Sequence, residues 1–161
     1  MIVEQTLLRP ELRDFSSIIF LKAIIIGIED AIGDKTAAIA MISTGRQQGK
    51  ALAQERNLAN KAASVPLEEV QEILNQILGK DGTRLCLIDK IEQSGEVYKV
   101  YCKETFCSAG ESDGSSRKCT YTLGAIQGFL EVLLGKRLQG KQTDSVLRGG
   151  THDLLEYSTI N

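Results

Sequence analysis

The stretch CTYTLGAIQGFLEVLLG, from Cys119 to Gly135, decides the fold. Its apolar residues recur at helical spacing, which predicts a helix with one continuous apolar ridge. Gly124 and Gly128 stand four residues apart and leave a groove without side chains, into which another backbone or a flat apolar ligand can fit. The sequence therefore predicts a central helix packed closely against a neighbour; the ridge consists of Leu123, Ile126, Leu130, Leu133 and Leu134.

Composition limits the classes of function. The 161 residues suit one domain, 1–161, with a sizeable core. Lys and Arg number 19 against 21 Asp and Glu, so no strong positive field exists to hold a phosphate backbone. With only 5% aromatic residues, base-stacking surfaces are not expected either. We therefore expect no nucleic-acid partner.

The N-terminal residues, MIVEQTLLRPELRDF, carry mixed charges where a secretion signal has a basic segment before an apolar one. The most apolar window, Ser16 to Ile28, has 13 residues and contains Lys22, so it is too short to span a membrane. It is interpreted as a buried helix. Without an export signal we expect a cytoplasmic protein, with its four cysteines as thiols in a reducing compartment.

Three helices are predicted in the first half. The first runs from Asp14 to Ile32, with Asp14 or Ser16 as its cap, and is apolar all round, so several neighbours should cover it. The second, residues 35–55, contains Gly45 and Gly49 four apart, which predicts close helix packing. Its GRQQGKA segment is not a Walker A loop, because the glycine spacing is short and no hydroxyl follows the lysine. The third follows Ser64 and has Pro66 in its first turn.

Alternating residues predict strands in the second half. A turn signal, QSGE, separates the first two strands, and a Gly- and Ser-rich segment, Ser108 to Lys118, predicts a mobile surface loop able to gate a pocket. The fold class is therefore α+β: a helical N-terminal half packed on an antiparallel sheet of about four strands, with the central helix between two hairpins. The predicted strands are 85–91, 97–105, 137–143 and 151–159.

Several of these residues resemble a known family. Cys119, Tyr121, Gly124, Gly128, Leu133 and Gly135 resemble the pattern of the 4-vinyl reductase domain, a hydrocarbon-binding family, and GRQQGKALA at Gly45 to Ala53 is similar to its second-helix motif. The resemblance covers Phe15 to Tyr157. It implies a domain related to transport-complex subunits and haem nitric-oxide sensors, usually a homodimer, with an internal cavity for a hydrocarbon-like or tetrapyrrole-like molecule. In place of the family's two cysteines near the last hairpin stand Gly149, Gly150, Thr151 and His152.

The cysteines and the single histidine permit more than one reading. Cys107, Cys119 and His152 can be brought together around zinc, although structural zinc sites more often use a two-residue knuckle. The alternatives are buried thiols that fill the core and a regulatory thiol at Cys107, beside the loop. His152 would carry any acid-base chemistry near neutral pH, but the neighbouring Asp153 should point to the opposite face of a strand. A structural histidine at the preceding turn is the simpler interpretation.

Two classes of function remain, because no complete catalytic motif is present. The first is non-enzymatic binding of a small apolar molecule, in a sensory, carrier or assembly role. The second is a homodimeric scaffold or assembly module without a ligand, which uses the first helix as an interface with itself or another protein. Reduction of a vinyl tetrapyrrole is a third activity, implied only by the family resemblance. The ligand-binding candidates are Phe20, Ile24, Ile28, Tyr98, Cys102, Tyr121, Gly124, Gly128, Phe129 and Leu133.

Overall fold

A computed structural model describes residues 8–161 of the chain. The interpretation of the N-terminus as lacking a secretion signal rests partly on residues 1–7, which lie outside the described residues. The described chain has the expected α+β order of three helices, two strands, a helix and two strands. Its elements are α1 (Ile18–Ile32), α2 (Asp34–Glu55), α3 (Leu67–Leu78), β1 (Leu87–Ser94), β2 (Val97–Lys103), α4 (Tyr121–Leu134), β3 (Leu138–Asp144), a 3-10 turn (Val146–Arg148) and β4 (Asp153–Thr159).

The chain forms two compact units, of which the first ends at Ala37 and contains α1. Ser17, and neither predicted residue, caps this helix, because its side chain accepts a hydrogen bond from the N–H of Ile19. The carboxylate of Asp14 instead accepts from the backbone N–H groups of Leu8 and Arg9. No residue of α1 is buried, so the expectation of a covered helix is wrong for this chain by itself. Between residues 8 and 161 no helix is both long and apolar enough to cross a membrane.

Within the second unit, Ala38–Asn161, α2 and α4 cross with their backbones in contact. A Cβ at Gly49 would lie 1.9 Å from the carbonyl oxygen of Ala125, and a Cβ at Gly124 would lie 2.1 Å from that of Ile42. Only glycine permits so close an approach. The prediction that the four-residue glycine spacing serves close helix packing is therefore confirmed, and the groove of α4 admits the backbone of α2.

Four antiparallel strands form one sheet in the order β1-β2-β4-β3. Ser94 pairs with Val97, so the first hairpin closes through two residues, and the first of them, Gly95, has a positive φ of 60°. Glycine adopts that conformation without strain, which is why the QSGE signal predicts this turn correctly. The second strand pairs with β4, which places the last strand of the chain inside the sheet.

The two faces of the sheet differ in polarity. Along β2, Tyr98, Val100 and Cys102 are buried while Lys103 is exposed, as the alternation predicts. On the core face the Tyr157 hydroxyl donates a hydrogen bond of 2.8 Å to the carbonyl of Leu123 on α4. Helix α3 covers β1 and α4 lies over β3, so the apolar core lies between these helices and the sheet.

The Gly- and Ser-rich segment before α4, for which the sequence predicts a mobile loop, makes hydrogen bonds to the 3-10 turn after β3. The guanidinium of Arg148 donates to the carbonyls of Ser115 and Arg117, at 2.7 and 3.1 Å. The N–H of Gly114 donates to the carbonyl of Leu147 at 2.6 Å. These bonds join the loop to the 3-10 turn after β3, and no loop residue contributes to the cavity described below.

Candidate functional site

A cavity of about 320 Å³ lies in the second unit, between the start of α3, the C-terminal half of α4 and the β1-β2 hairpin. Most of its walls are apolar, and none of the residues lining it carries a formal charge. Its volume is at the lower end of the range for small-molecule sites. The lining residues are Ala62, Ala63, Ser64, Val65, Pro66, Leu67, Val70, Gln93, Tyr98, Leu130, Leu133 and Leu134.

The wall made by the α2-α3 connection is fixed to the end of α4. The last carbonyls of a helix lack partners within the helix. Here the N–H of Asn60 donates to the carbonyl of Val132 at 2.9 Å, and that of Ala62 donates to the carbonyl of Leu133 at 3.1 Å. A Cβ at Gly135 would lie 1.8 Å from the side-chain oxygen of Asn60, so glycine at this left-handed position also permits the contact. This connection therefore forms a rigid side of the cavity.

A second wall, α3, is joined to β1 by the side chains of Asn75 and of Gln71, whose amide donates to the carbonyl of Asp89 at 3.0 Å. The amide of Asn75 donates to the carbonyl of Ile88 at 2.8 Å and accepts from the N–H of the same residue at 2.8 Å. This pair of bonds fixes both the distance and the register between helix and strand. Sequence reasoning missed Asn75, although a polar residue beside the buried stripe of α3 was the available signal.

The Tyr98 hydroxyl provides a polar group at the cavity. The residue is 8% exposed, and within residues 8–161 its hydroxyl makes no hydrogen bond. Burial, together with the charge of Glu96, raises the pKa of Tyr98, so the hydroxyl stays protonated near neutral pH. Other polar groups are partly engaged: the Ser64 hydroxyl donates to the carbonyl of Lys61, and the Gln93 amide donates to that of Gly95. A ligand can therefore pair with the Tyr98 hydroxyl.

The predicted ligand residues are divided among several places. Tyr98 and Leu133 line the cavity. Cys102 and Phe129 are buried in the core cluster and do not line the cavity.

The remaining predicted residues lie elsewhere. Gly124 and Gly128 contact the α2 backbone, and the Tyr121 hydroxyl donates to the side chain of Gln48. The structure thus brings together only part of the predicted set, because the cavity forms at the end of α4 and not along its glycine groove. Phe20, Ile24 and Ile28 are on α1, in the first unit.

A buried carboxylate links the two crossing helices. Glu131 on α4 accepts hydrogen bonds from the Arg46 guanidinium at 2.8 and 2.9 Å and from the N–H of Leu138 at 2.9 Å; the Lys50 ammonium lies 3.3 Å away. Burial alone would raise the pKa of Glu131, but these donors and charges outweigh it and lower the pKa. On α2, the GRQQGK segment thus supplies two glycines that contact α4 and the two cations, Arg46 and Lys50, that contact Glu131.

All four cysteines are buried thiols. The Cys107 sulfur lies 3.9 Å from the Thr122 hydroxyl, and the Cys102 sulfur lies 3.9 Å from the carbonyl of Val100. The Cys119 thiol, the N–H of Thr120 and the hydroxyl of Thr122 lower the pKa of Cys107 to about 7. The neighbouring Cys107 thiol and burial raise the pKa of Cys119.

The third residue of the zinc hypothesis, His152, forms hydrogen bonds with Asp89 and Thr151 and not with the two cysteines. Its Nε2 is 2.8 Å from Oδ2 of Asp89, and its Nδ1 is 2.9 Å from the Thr151 hydroxyl. The bond to His152 and the nearby Lys103 lower the pKa of Asp89. Over residues 8–161, no group of three or more His, Cys, Asp or Glu side chains is arranged to hold a metal ion. The structure therefore does not bring the predicted zinc ligands together.

A buried aspartate organises the end of the sheet near Cys119. The carboxylate of Asp153, 1% exposed, accepts from the hydroxyls of Thr105 and Ser108 at 2.5 and 2.7 Å, and from the N–H of Val146 at 3.1 Å. The Gln142 amide lies 3.3 Å from the same carboxylate, and its oxygen accepts from the N–H of Cys119. Because these donors satisfy the carboxylate, Asp153 has a structural role here.

Comparisons with known proteins show a shared fold at low sequence identity. No family model and no curated protein sequence matches the chain. Among solved structures, the phenol-responsive sensory domain of the transcription activator PoxR, crystallised with phenol, is similar with a TM-score of 0.66 and 15% identity; the match covers 91% of this chain and 77% of that one.

Two further structures have the same architecture. The trafficking protein particle complex subunit 3 of Naegleria fowleri, covalently bound to palmitic acid, matches with a TM-score of 0.61 and 12% identity, over 89% of this chain and 93% of that one. A vinyl-4-reductase family protein of Methanocaldococcus jannaschii matches with a TM-score of 0.55 and 14% identity, over 91% and 83%. These likenesses confirm the 4-vinyl-reductase-like fold that the sequence resemblance implies.

Proposed function

We propose that this chain is a binding module, not an enzyme, that holds one small, uncharged and largely apolar molecule in the cavity between α3 and α4. The observation that carries the proposal is a cavity of about 320 Å³ whose lining residues bear no formal charge. An apolar wall favours apolar ligands, and an ionised ligand would lose its hydration without gaining a partner.

The size and polarity of the cavity narrow the ligand class. At this volume a molecule of one or two rings, or a short hydrocarbon, fits better than a tetrapyrrole, whose macrocycle joins four rings. The Tyr98 hydroxyl supplies one hydrogen bond to a polar group on the ligand. The similar PoxR domain is described as phenol-responsive, which supports a sensory role for the same fold here.

Binding without chemistry is supported by the residues around the cavity. Tyr98 is the only lining residue with an ionisable side chain, and its raised pKa makes it a poor base near neutral pH. We infer a sensory, carrier or assembly role in the cytoplasm, where buried thiols stay reduced. Reduction of a vinyl substrate by the purified protein would contradict this assignment.

The test is a titration with a neutral two-ring fluorescent probe, 2-naphthol, followed by displacement with phenol. We expect saturable binding of one probe per chain. Val70→Phe fills the cavity from α3 and should abolish binding, whereas Val132→Phe, a partly buried position on α4 that does not line the cavity, should retain it. Absence of saturable binding to the wild type, or equal binding by both folded variants, would refute the proposal.

A second role, a homodimeric scaffold, is supported by α1. None of its residues is buried, and its exposed side chains include several large apolar ones. Monomeric proteins rarely expose so many adjacent apolar residues. We propose that α1 contacts a second copy of this chain, and that this contact is compatible with ligand binding in the second unit. The exposed residues are Ile18, Ile19, Phe20, Leu21, Ile24, Ile26 and Ile32.

A further inference from the structure

Two polar side chains of the cavity lie opposite each other on the β1-β2 hairpin. Gln93 on β1 pairs directly with Tyr98 on β2, and both residues line the cavity. Residues directly opposite in an antiparallel pair have their side chains on the same face of the sheet, with Cβ atoms about 4.5–5.5 Å apart. The hairpin therefore presents a side-chain amide and a phenolic hydroxyl next to each other at one end of the cavity.

Gln93 occupies a position on the core face of the sheet. Two residues earlier on the same strand, Ile91 is buried, and its partner Val100 on β2 is completely buried. Residues i and i+2 of a strand lie on the same face, so Gln93 shares the face of Ile91. Gln93 is exposed, whereas Tyr98 is buried, so the pair extends from the opening of the cavity to its interior.

The free hydrogen-bonding groups of the two side chains are complementary. The Gln93 amide nitrogen donates to the carbonyl of Gly95 at 3.0 Å, and within residues 8–161 its side-chain oxygen accepts no hydrogen bond. Over the same residues the Tyr98 hydroxyl makes none. Ser64, the other polar side chain of the lining, donates its hydroxyl proton to the carbonyl of Lys61. The hairpin thus offers one acceptor and one donor to a ligand.

We propose that Gln93 and Tyr98 together select a ligand by its hydroxyl group, an inference that rests on the proposed function of the cavity. The ligand hydroxyl donates its proton to the Gln93 side-chain oxygen and accepts a hydrogen bond from the Tyr98 hydroxyl. Val70, Leu130 and Leu133 contact its hydrocarbon part. The ligand class is therefore small neutral phenols and alcohols, bound with the hydroxyl towards the hairpin.

The same two side chains disfavour other polar groups. An ether or ketone oxygen only accepts, so it leaves the Gln93 oxygen without a donor. A carboxylate would bring a negative charge next to that oxygen, and it would lose its hydration in a lining without formal charge. A hydrocarbon pairs with neither side chain. A hydroxyl group both donates and accepts through one oxygen, which matches the pair.

The test compares phenol with toluene, in which a methyl group replaces the hydroxyl, and with anisole, in which the hydroxyl is methylated. Isothermal titration calorimetry gives the dissociation constant of each ligand for the full chain. We expect the wild type to bind phenol about fivefold more tightly than anisole, the factor for one neutral hydrogen bond. Gln93→Met keeps the length of the side chain and removes its amide. Phenol should then bind only as tightly as anisole, with the toluene affinity unchanged.

Two further variants separate the Gln93 contact from other effects. Gln139→Met is the matched control, because Gln139 is exposed on β3 and does not line the cavity, so this variant should keep the preference for phenol. Tyr98→Phe removes the donor and should weaken phenol and anisole equally. If the wild type binds phenol and anisole equally, or if Gln93→Met keeps the preference, the Gln93 contact is overturned while toluene binding still supports the cavity. If none of the three ligands binds, the proposed function fails as well.

Discussion

Gly128 on α4 faces Arg46 on α2 at a distance that leaves no space for a side chain: a Cβ built on Gly128 would lie 2.0 Å from the Arg46 carbonyl oxygen. The same close approach occurs from the other helix: a Cβ on Gly45 of α2 would lie 2.2 Å from the carbonyl oxygen of Tyr121 on α4. Both helices therefore need glycine at the crossing, and the obstacle is backbone, which cannot rotate away. The α2-α4 contact in turn fixes the helix that forms one wall of the cavity.

Gly128→Ala should strongly destabilise the protein. The added methyl group must separate two helix backbones, so we expect a loss of about 3 kcal/mol in the free energy of unfolding, measured by urea denaturation. Gly27→Ala is the matched control, because nothing lies within 4 Å of a Cβ there. That substitution should be neutral or stabilise by roughly 0.5 to 1 kcal/mol. Equal stability of the Gly128 variant and the wild type would contradict the backbone contact.

Glu131→Gln should weaken the same helix crossing and change its response to acid. The lowered pKa of Glu131 in the folded state means that the carboxylate contributes stability above its unfolded pKa, near 4.5, and that this contribution is lost as the pH falls through the folded pKa. We expect a loss of about 2 kcal/mol at pH 7, because charge-assisted bonds from Arg46 are removed. The difference between variant and wild type should shrink towards pH 3.

The control for this prediction is Glu92→Gln. Glu92 also has a lowered pKa, through its contact with Lys90, but the pair is exposed to solvent. Exposed ion pairs contribute little to stability, so this variant should unfold with the wild type at pH 7. If both variants lose the same free energy of unfolding at pH 7, burial of Glu131 does not explain the stabilising effect of its ion pair.

Local patterns in the sequence predict much of the fold, because the interactions that form these elements lie within a few residues. The apolar stripe of α3 predicts that helix, and Val70 and Leu74 are indeed buried. The QSGE turn predicts the first hairpin, with Gly95 at a positive φ. The glycines of α4 predict close packing, because a missing side chain has the same effect whatever the partner is.

The cavity was not predictable in the same way. Its position depends on the N–H groups of Asn60 and Ala62, which bond to the end of α4 from far along the chain. The prediction that α1 is buried depended only on its apolar composition, whereas in the structure every residue of α1 is at least partly exposed. The pairing of His152 with Asp89, 63 positions away, likewise has no local signal.

Tyr98→Phe tests the polar contact proposed for the ligand. The Tyr98 hydroxyl makes no hydrogen bond within residues 8–161, so its removal should leave the free energy of unfolding unchanged within about 0.5 kcal/mol. A ligand with a hydrogen-bonding group, such as phenol, should bind about fivefold more weakly, since one neutral hydrogen bond contributes about 1 kcal/mol. Isothermal titration calorimetry measures the change.

The control variant is Tyr101→Phe. Tyr101 does not line the cavity, and its hydroxyl donates to Glu92 at 2.8 Å. Phenol affinity should therefore match the wild type. An equal loss of affinity in both tyrosine variants would exclude a direct contact of Tyr98 with the ligand.

The exposed apolar side chains of α1 predict self-association. We expect the wild type to sediment as a dimer at tens of micromolar in analytical ultracentrifugation, because burying these side chains against a second copy removes apolar surface from water. Ile19→Lys places a charge where the side chain is 78% exposed in the single chain, so it should leave the fold intact and shift the population to monomer. Leu87→Lys, at an exposed apolar residue on β1, should remain dimeric. If the wild type is monomeric at that concentration, α1 is not a dimer interface. If the protein stays dimeric in Ile19→Lys, the dimer interface lies on another surface.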